Sequence, residues 1–563
     1  MTSRPIPQPG SRHGLSPARA ALLVILCLIA YLPGIASLPP TDRDESRFVQ
    51  ATHQMVETGN YVDIHFQQET RYKKPIGIYW LQSAAVALTG HGPDAPIWTY
   101  RLVSVLGGTL AVLGVGWLGT WLFGSAAGMM AALAQAAIFM LAFEARIAKT
   151  DAFLLSTVVF AQAALATIWI GHREERPTGW RPALLFWIAT GIGIMIKGPV
   201  TPLISLLTVL SLGFLYKDWR WLRRLRPLAG IAVVIAIAAP WLVLITLKSG
   251  SAFWSQSVGK DLFGKVAGAQ ESHGAPPGFY ALIFVVFIWP FGLMALRGAL
   301  RVVTRFRDDP RLAFLFAWYV PYWIVIEALP TKLPQYALPG YPAVILALAW
   351  ALSEGLLDKP FERRWQRWLE WLTFAGHIAA TLALAGLALG FSIWLNGSFS
   401  WVGLIAAIFA VAAGAFSCGR VTVPLANALR YAAGAGIVTF ILLMTFVLPS
   451  LTPIWLSPAI DKAFKAVRPC PDSVLASAGF EEPSLVFLAG TGTVLTDGAG
   501  AADYLKSHAR CGVAAVTKDE AASFDKRLGQ IGISAVSRDA IKGINYSKGK
   551  RLDVEIFTVA KGS

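Results

Sequence analysis

Apolar runs recur from Ala20 to Leu448, most of them close to a bilayer crossing in length and most ended by a short polar gap. Roughly 20 apolar residues span the hydrocarbon core as a helix. In that medium every backbone N–H and C=O must be satisfied internally, so helices and closed barrels are the two spanning solutions. The runs lack the period-2 alternation of barrel strands. The pattern therefore predicts helices at 20–38, 99–122, 126–143, 152–171, 183–197, 199–216, 228–247, 279–300, 312–328, 340–356, 371–395, 401–417 and 431–449. The expected fold class is a polytopic α-helical membrane protein with about thirteen transmembrane helices.

Two polar stretches interrupt the series. Residues 39–98 form a large loop in which 45–58 and 75–88 carry apolar residues at helical spacing, as helices lying on a membrane surface do. Residues 248–278 form a second loop, rich in Gly and Lys. From about Ser457 the composition becomes that of a soluble domain. There, β-like runs at 484–488, 512–516 and 554–559 alternate with helical runs at 501–509 and 518–528, which predicts a small C-terminal α/β domain. The sequence contains no repeat, P-loop or zinc-type Cys/His spacing.

Charge sets the orientation. The chain has 563 residues, 55% hydrophobic and 15% charged, with a formal net charge of +16. Soluble domains carry about a quarter charged residues. The surplus sits in alternate gaps, at 173–181, 217–226, 297–311 and 363–367. That is the positive-inside pattern, with basic gaps that meet anionic lipid head groups, and it argues against nucleic acid as the partner. The first apolar run reads as a signal anchor rather than a cleavable signal peptide. The expected organisation is a cytoplasmic tail at 1–19, a transmembrane domain at 20–456 with outer loops 39–98 and 248–278, and a soluble outer domain at 457–563. In that exported tail Cys470 and Cys511 could pair, or they could be two unrelated thiols.

On this topology five polar groups fall at the outer face. They are Asp44-Glu45 with Arg47; Tyr72, Lys73, Lys74 and Tyr79; Glu144, Arg146, Lys149 and Asp151; Lys197-Gly198-Pro199; and Thr331-Lys332 through Tyr336. Any one of them is accounted for by a helix end, where Lys and Arg snorkel to the interface. As a set they are not. Arg47, Lys74, Arg146, Lys197 and Lys332 place cations against the charge bias, and acidic and basic pairs in one loop suggest a site for a phosphorylated substrate.

The stretch Asp44-Glu45-Ser46-Arg47-Phe48 resembles the Asp-Glu-x-Arg-Tyr motif of bacterial aminoarabinose transferases. Those enzymes belong to the protein O-mannosyltransferase-like glycosyltransferases of the GT-C fold. Arg71-Tyr72-Lys73-Lys74-Pro75 with Tyr79-Trp80-Leu81 is similar to a second motif of that family. Arg146 with Thr150-Asp151, and Lys332-Leu333-Pro334 with Tyr336 and Pro339, are similar to two later ones. Lys73 departs from the pattern, standing where those enzymes commonly have Glu, and Gly-Pro follows Lys197 where another pair is more frequent.

The resemblance implies an inverting glycosyltransferase whose donor is a sugar on a polyprenyl phosphate. The implied acceptor is lipid A or another envelope glycolipid on the periplasmic side of a bacterial inner membrane. It implies a catalytic role for Asp44, with Glu45 either sharing the site or capping the helix that follows. It implies Arg47, Lys74, Lys332 and Arg146 as ligands of the donor phosphate. Tyr72, Tyr79, Asp151, Tyr336, Lys197 and His273 are the implied substrate contacts, and a solvated loop residue is the plain alternative for His273. No cofactor is required by the sequence, and one His gives little support for a divalent cation. Two other functions stay open: an enzyme that glycosylates exported proteins, and a lipid-sugar flippase. Flippase sites favour the bilayer midplane and paired repeats, whereas these charges gather at one face.

Overall fold

The computed structural model describes residues 14–257, 259, 274–418 and 423–560. The membrane region begins with α1 (Pro17–Tyr31), α2 (Asp44–Thr58) and α3 (Gly77–Thr89), with a two-stranded ribbon of β1 (His65–Phe66) and β2 (Glu69–Thr70) between the last two. Then follow α4 (Ile97–Phe123), α5 (Ser125–Ala137), α6 (Phe139–Glu144), α7 (Asp151–Arg173), α8 (Trp180–Lys197), α9 (Val200–Tyr216) and α10 (Pro227–Ser249). After the turn at Ala252–Trp254 come α11 (Phe279–Phe287), α12 (Gly292–Arg305), α13 (Pro310–Ala328), α14 (Tyr341–Ser353), α15 (Arg364–Asn396), α16 (Trp401–Ser417) and α17 (Leu425–Ser450).

Among the described residues, seven helices are long and apolar enough to cross a membrane, and α1, α9 and α16 are shorter apolar helices. The remaining expected segments are helical too. α8 spans 18 residues, 126–143 is divided at Ile138 into α5 and α6, and 279–300 is divided between α11 and α12. α7 is the central helix, buried on nearly every side. The chain is thus a multi-pass helical membrane protein.

Two close backbone approaches place the polar ends of these helices. A Cβ on Gly107 would stand 2.4 Å from the Phe153 Cα, so α4 lies directly against the first turn of α7. A Cβ on Gly77 would stand 2.6 Å from the Met195 carbonyl oxygen, so the start of α3 lies against the end of α8. The first contact positions Asp151, and the second brings the Lys73-Lys74 segment beside Lys197.

The C-terminal domain contains α18 (Leu456–Val467), β3 (Leu475–Ala478), α19 (Pro483–Ala489), β4 (Val494–Thr496), α20 (Gly498–Ser507), β5 (Val513–Thr517), α21 (Lys518–Ile531), β6 (Ala535–Asn545) and β7 (Lys550–Val559). The sheet order is β4-β3-β5-β7-β6, with β3 parallel to β4 and β5 and a long antiparallel hairpin of β6 and β7 at one edge. The expected strand at 484–488 is instead the helix α19: Pro483 at its first turn suits a helix start, and Pro483, Leu485 and Val486 are buried. Cys470 and Cys511 form a disulfide, with Cα atoms 5.4 Å apart.

Candidate active site

Asp44 and Glu45 open α2, and consecutive helical residues point roughly 100° apart. One motif therefore faces two ways. Asp44 is exposed and lines a cavity of about 460 Å³, together with Arg47, Lys73, Lys74, Lys149, Asp151, Lys197 and Tyr336. Glu45 turns inward. Both its oxygens are engaged, by Arg101, by the Thr41 backbone N–H and hydroxyl, and by the Ala148 N–H. Burial pushes its carboxyl up, but the Arg101 charge and these hydrogen bonds outweigh it and hold it below the ordinary glutamate range. Both oxygens are thus engaged within the protein, and Glu45 lies beneath the chamber as the partner of Arg101.

The opposite wall comes from helix ends. Asp151 opens α7 and accepts from Lys197 at 2.5 Å, and Lys149 donates to Glu144 at 2.9 Å. α8 stops at Lys197 because Gly198 adopts φ +61° and Pro199 follows. The 3₁₀ turn Pro334–Gly340 brings in Gln335 and Tyr336, and the Lys197 Nζ stands 5.5 Å from the Tyr336 ring centroid. Around the whole cavity the side chains of Arg43, Arg47, Arg71, Lys73, Lys74, Lys149 and Lys197 outnumber the carboxylates of Asp42, Asp44 and Asp151, with Glu45 already paired to Arg101, so the cavity favours an anion.

A second cavity of about 730 Å³ adjoins the first and is lined mostly by apolar side chains, among them Leu154, Met195, Leu203, Trp241, Phe253 and Val325. The two share Lys73, Lys74, Asp151, Lys197, Thr331, Gln335 and Tyr336. A polar chamber and an apolar groove thus meet at a cationic threshold. That arrangement suits a molecule with an anionic head and a long apolar tail.

Four expected ligands lie elsewhere. Arg146 is fully buried and spends its guanidinium on the carbonyls of Ala30, Pro33 and Ala142, where α1 ends against α6. Lys332 is buried, donates to the Leu329 carbonyl and lines neither cavity. The Tyr72 hydroxyl donates to Asp63 at 2.7 Å while its ring meets Phe253 from behind the groove. Tyr79 is buried with its ring centroid 5.6 Å from that of Phe48, which lines the polar chamber. These two tyrosines support the walls. His273 lies outside the described residues.

The structure also brings in residues to which the sequence reading gave no role of their own. Arg101, Gln335 and Arg71 carried at most motif proximity as a signal. Tyr546 and Trp455 line the polar chamber from the C-terminal side of the chain, and nothing local in the sequence pointed to them.

Comparisons with known proteins bear on sequence similarity and on the fold. Residues 73–244 match the family described as dolichyl-phosphate-mannose-protein mannosyltransferase. The chain is 26% identical over 387 residues to an undecaprenyl phosphate-alpha-4-amino-4-deoxy-L-arabinose arabinosyl transferase of Pectobacterium carotovorum, covering 67% of this chain and 66% of that one. It is 27% identical over 341 residues to such a transferase of Pseudomonas fluorescens, covering 60% of each. The similarity thus spans a little under two thirds of those relatives' length. Among solved structures, ArnT from Cupriavidus metallidurans bound to undecaprenyl phosphate superposes with a TM-score of 0.72 at 16% identity, covering 96% of this chain and 98% of that one. The fold is the same.

Proposed function

We propose that this chain, similar in sequence and in fold to the undecaprenyl phosphate-aminoarabinose transferases, is an integral-membrane glycosyltransferase. It moves a sugar from a polyprenyl phosphate to lipid A or another envelope glycolipid, at the periplasmic face of the inner membrane. The observation that carries this reading is the junction of the two cavities at Lys73, Lys74 and Lys197. A polyprenyl chain lies in the apolar groove, its phosphate rests on the cations, and the sugar projects into the polar chamber towards Asp44.

The chemistry follows from charge. When the sugar leaves, the lipid phosphate departs with an added negative charge, and preorganised cations lower that barrier. Lys74 and Arg47 take this role, with Lys197 held in place by Asp151. If the acceptor is a hydroxyl, Asp44 removes its proton as it attacks the sugar carbon. If the acceptor is a phosphate, already an anion, Asp44 orients it. Attack opposite the departing phosphate inverts the sugar carbon.

The orientation rests on charge and contact together. The basic gaps face the cytoplasm. The C-terminal domain meets the 39–98 loop, so domain and site share the outer face. The match of residues 73–244 to a protein mannosyltransferase family favours one second reading, transfer to exported proteins.

Mass spectrometry of lipid A from cells with and without the gene, complemented by wild type or by Asp44→Asn, tests the proposal. One sugar mass lost with the gene and restored by wild type but not by Asp44→Asn supports it. Lipid A unchanged in all strains, with a sugar lost from exported proteins, replaces it with the second reading.

A further inference from the structure

Asp44 is preceded by two residues whose conformation is held from the far end of the chain. Arg43 has φ +64° and ψ −101°, a backbone region that L side chains rarely adopt and that persists where surroundings impose it. The surroundings here belong to the C-terminal domain. The Asp42 backbone N–H donates to the Tyr546 hydroxyl at 2.6 Å. The Arg43 guanidinium donates to the Ser547 carbonyl at 2.9 Å. The Ser484 hydroxyl, in the first turn of α19, donates to the Asp42 carboxylate.

These contacts come from a shaped element. Asn545 ends β6, accepts from the Lys548 N–H at 3.1 Å across the hairpin turn, and donates to Glu482 beside α19 at 2.9 Å. Gly549 turns the chain back at φ +67°. The hairpin tip and α19 are thereby joined as one jaw over Asp42-Arg43. The Tyr546 ring also stands 5.9 Å from Trp455, and both line the polar chamber with Asp44.

We infer that the C-terminal domain acts as a clamp on the catalytic loop, with Tyr546 as a positioning residue: its hydroxyl holds the Asp42-Arg43 backbone in the strained form that presents the Asp44 carboxylate to the sugar. The inference rests on the assignment of Asp44 to the reacting centre. Tyr546 works through the loop, so its removal changes turnover rather than the capture of the lipid phosphate, which the cations at the threshold perform. A misplacement of about 1 Å costs up to 10²-fold in rate.

The test uses the full-length protein in proteoliposomes, with undecaprenyl phosphate-4-amino-4-deoxy-L-arabinose as donor and lipid A as acceptor. Tyr546→Phe keeps the ring and removes the hydroxyl. Tyr504→Phe is the control, since that hydroxyl donates to Val474 inside the same domain at 3.0 Å. Tyr546→Phe is expected to lower kcat at least about tenfold with donor KM within about twofold, while Tyr504→Phe matches wild type. Hydrogen exchange of the backbone at 40–47 is expected to be faster in Tyr546→Phe alone.

Wild-type kcat in Tyr546→Phe beside an inactive Asp44→Asn overturns the clamp and leaves the proposed function standing. Full activity of Asp44→Asn overturns both. If wild type does not use this donor, the choice of sugar is wrong and the exchange measurement still decides: unchanged exchange at 40–47 in Tyr546→Phe overturns the clamp.

Discussion

The Arg101 guanidinium grips Glu45 twice, Nε to Oε1 at 2.8 Å and Nη2 to Oε2 at 2.9 Å, with both side chains sealed from solvent. Its other N–H groups donate to the carbonyls of Ile35, Leu38 and Pro39. One buried ion pair thus ties the exit of α1, the start of α2 and the second turn of α4 together, and Asp44 is held by its neighbour's anchorage.

Breaking this pair leaves a buried charge alone. Glu45→Gln or Arg101→Met is expected to destabilise the protein by about 3–5 kcal/mol, and the double variant by less than the sum of the two. Thermal unfolding in detergent reads both quantities. The Glu45 carboxyl lies below its ordinary range, so its contribution is present above the unfolded value of about 4.3 and is lost as pH falls further. Wild type is expected to lose stability below about pH 4, more steeply than Glu45→Gln.

Lys74 and Arg146 separate by place. Lys74→Met removes a cation from the threshold between the cavities. It is expected to cut transfer by about 10²-fold or more, the scale of one lost electrostatic donor, with the melting temperature unchanged. Arg146→Met strips three carbonyls of their buried partner and is expected to lower the melting temperature by several degrees. Equal melting temperatures for the two would show that Arg146 is not structural.

Lys197 both completes the threshold and neutralises Asp151. Lys197→Met is expected to weaken undecaprenyl phosphate binding roughly tenfold or more, since a charge-assisted hydrogen bond contributes about 1.5–3 kcal/mol. Asp151→Asn leaves the ammonium in place and is expected to affect binding much less. Titration of the purified protein with undecaprenyl phosphate measures both.

Asp42 supplies a pH signature for the contact between domain and loop. Burial pushes its carboxyl up to about 6, against the Ser484 hydrogen bond and with the Glu482 charge adding to the rise. A raised acid is stabilising below its unfolded value of about 3.9, and that contribution is lost as pH rises through about 6. Exchange at 40–47 is therefore expected to accelerate beyond the intrinsic rate as pH rises from about 4 to about 6, and Asp42→Asn is expected to abolish that excess. No excess in wild type would sink the prediction.

Legibility in the sequence followed the range of the interactions involved. That the acidic motif, the Lys73-Lys74 segment, Asp151, Lys197 and Tyr336 come together was readable because each sits beside a helix end, where apolar periodicity stops and polar residues take over. The buried contacts of Arg146, Lys332, Tyr72 and Tyr79 were not readable. A helix end states depth in the membrane, whereas the direction of a side chain depends on helix phase and on which backbone carbonyls lie within reach. The 484–488 segment misled for a related reason: a short buried apolar run fits strand and helix equally, and burial against α18 settled the matter.

The sequence by itself determined that this is a multi-pass helical membrane protein with a small α/β domain, and that its polar groups gather at one face. Hydrophobic runs and charge bias act through transfer free energies that belong to each segment alone, so they are written locally. Only the tertiary structure decided that Asp44 faces the chamber while Glu45 is locked to Arg101, and that Tyr546 touches Asp42 across 504 residues of chain. Those outcomes depend on the mutual rotation of packed helices and the docking of a distant hairpin, which no local pattern encodes.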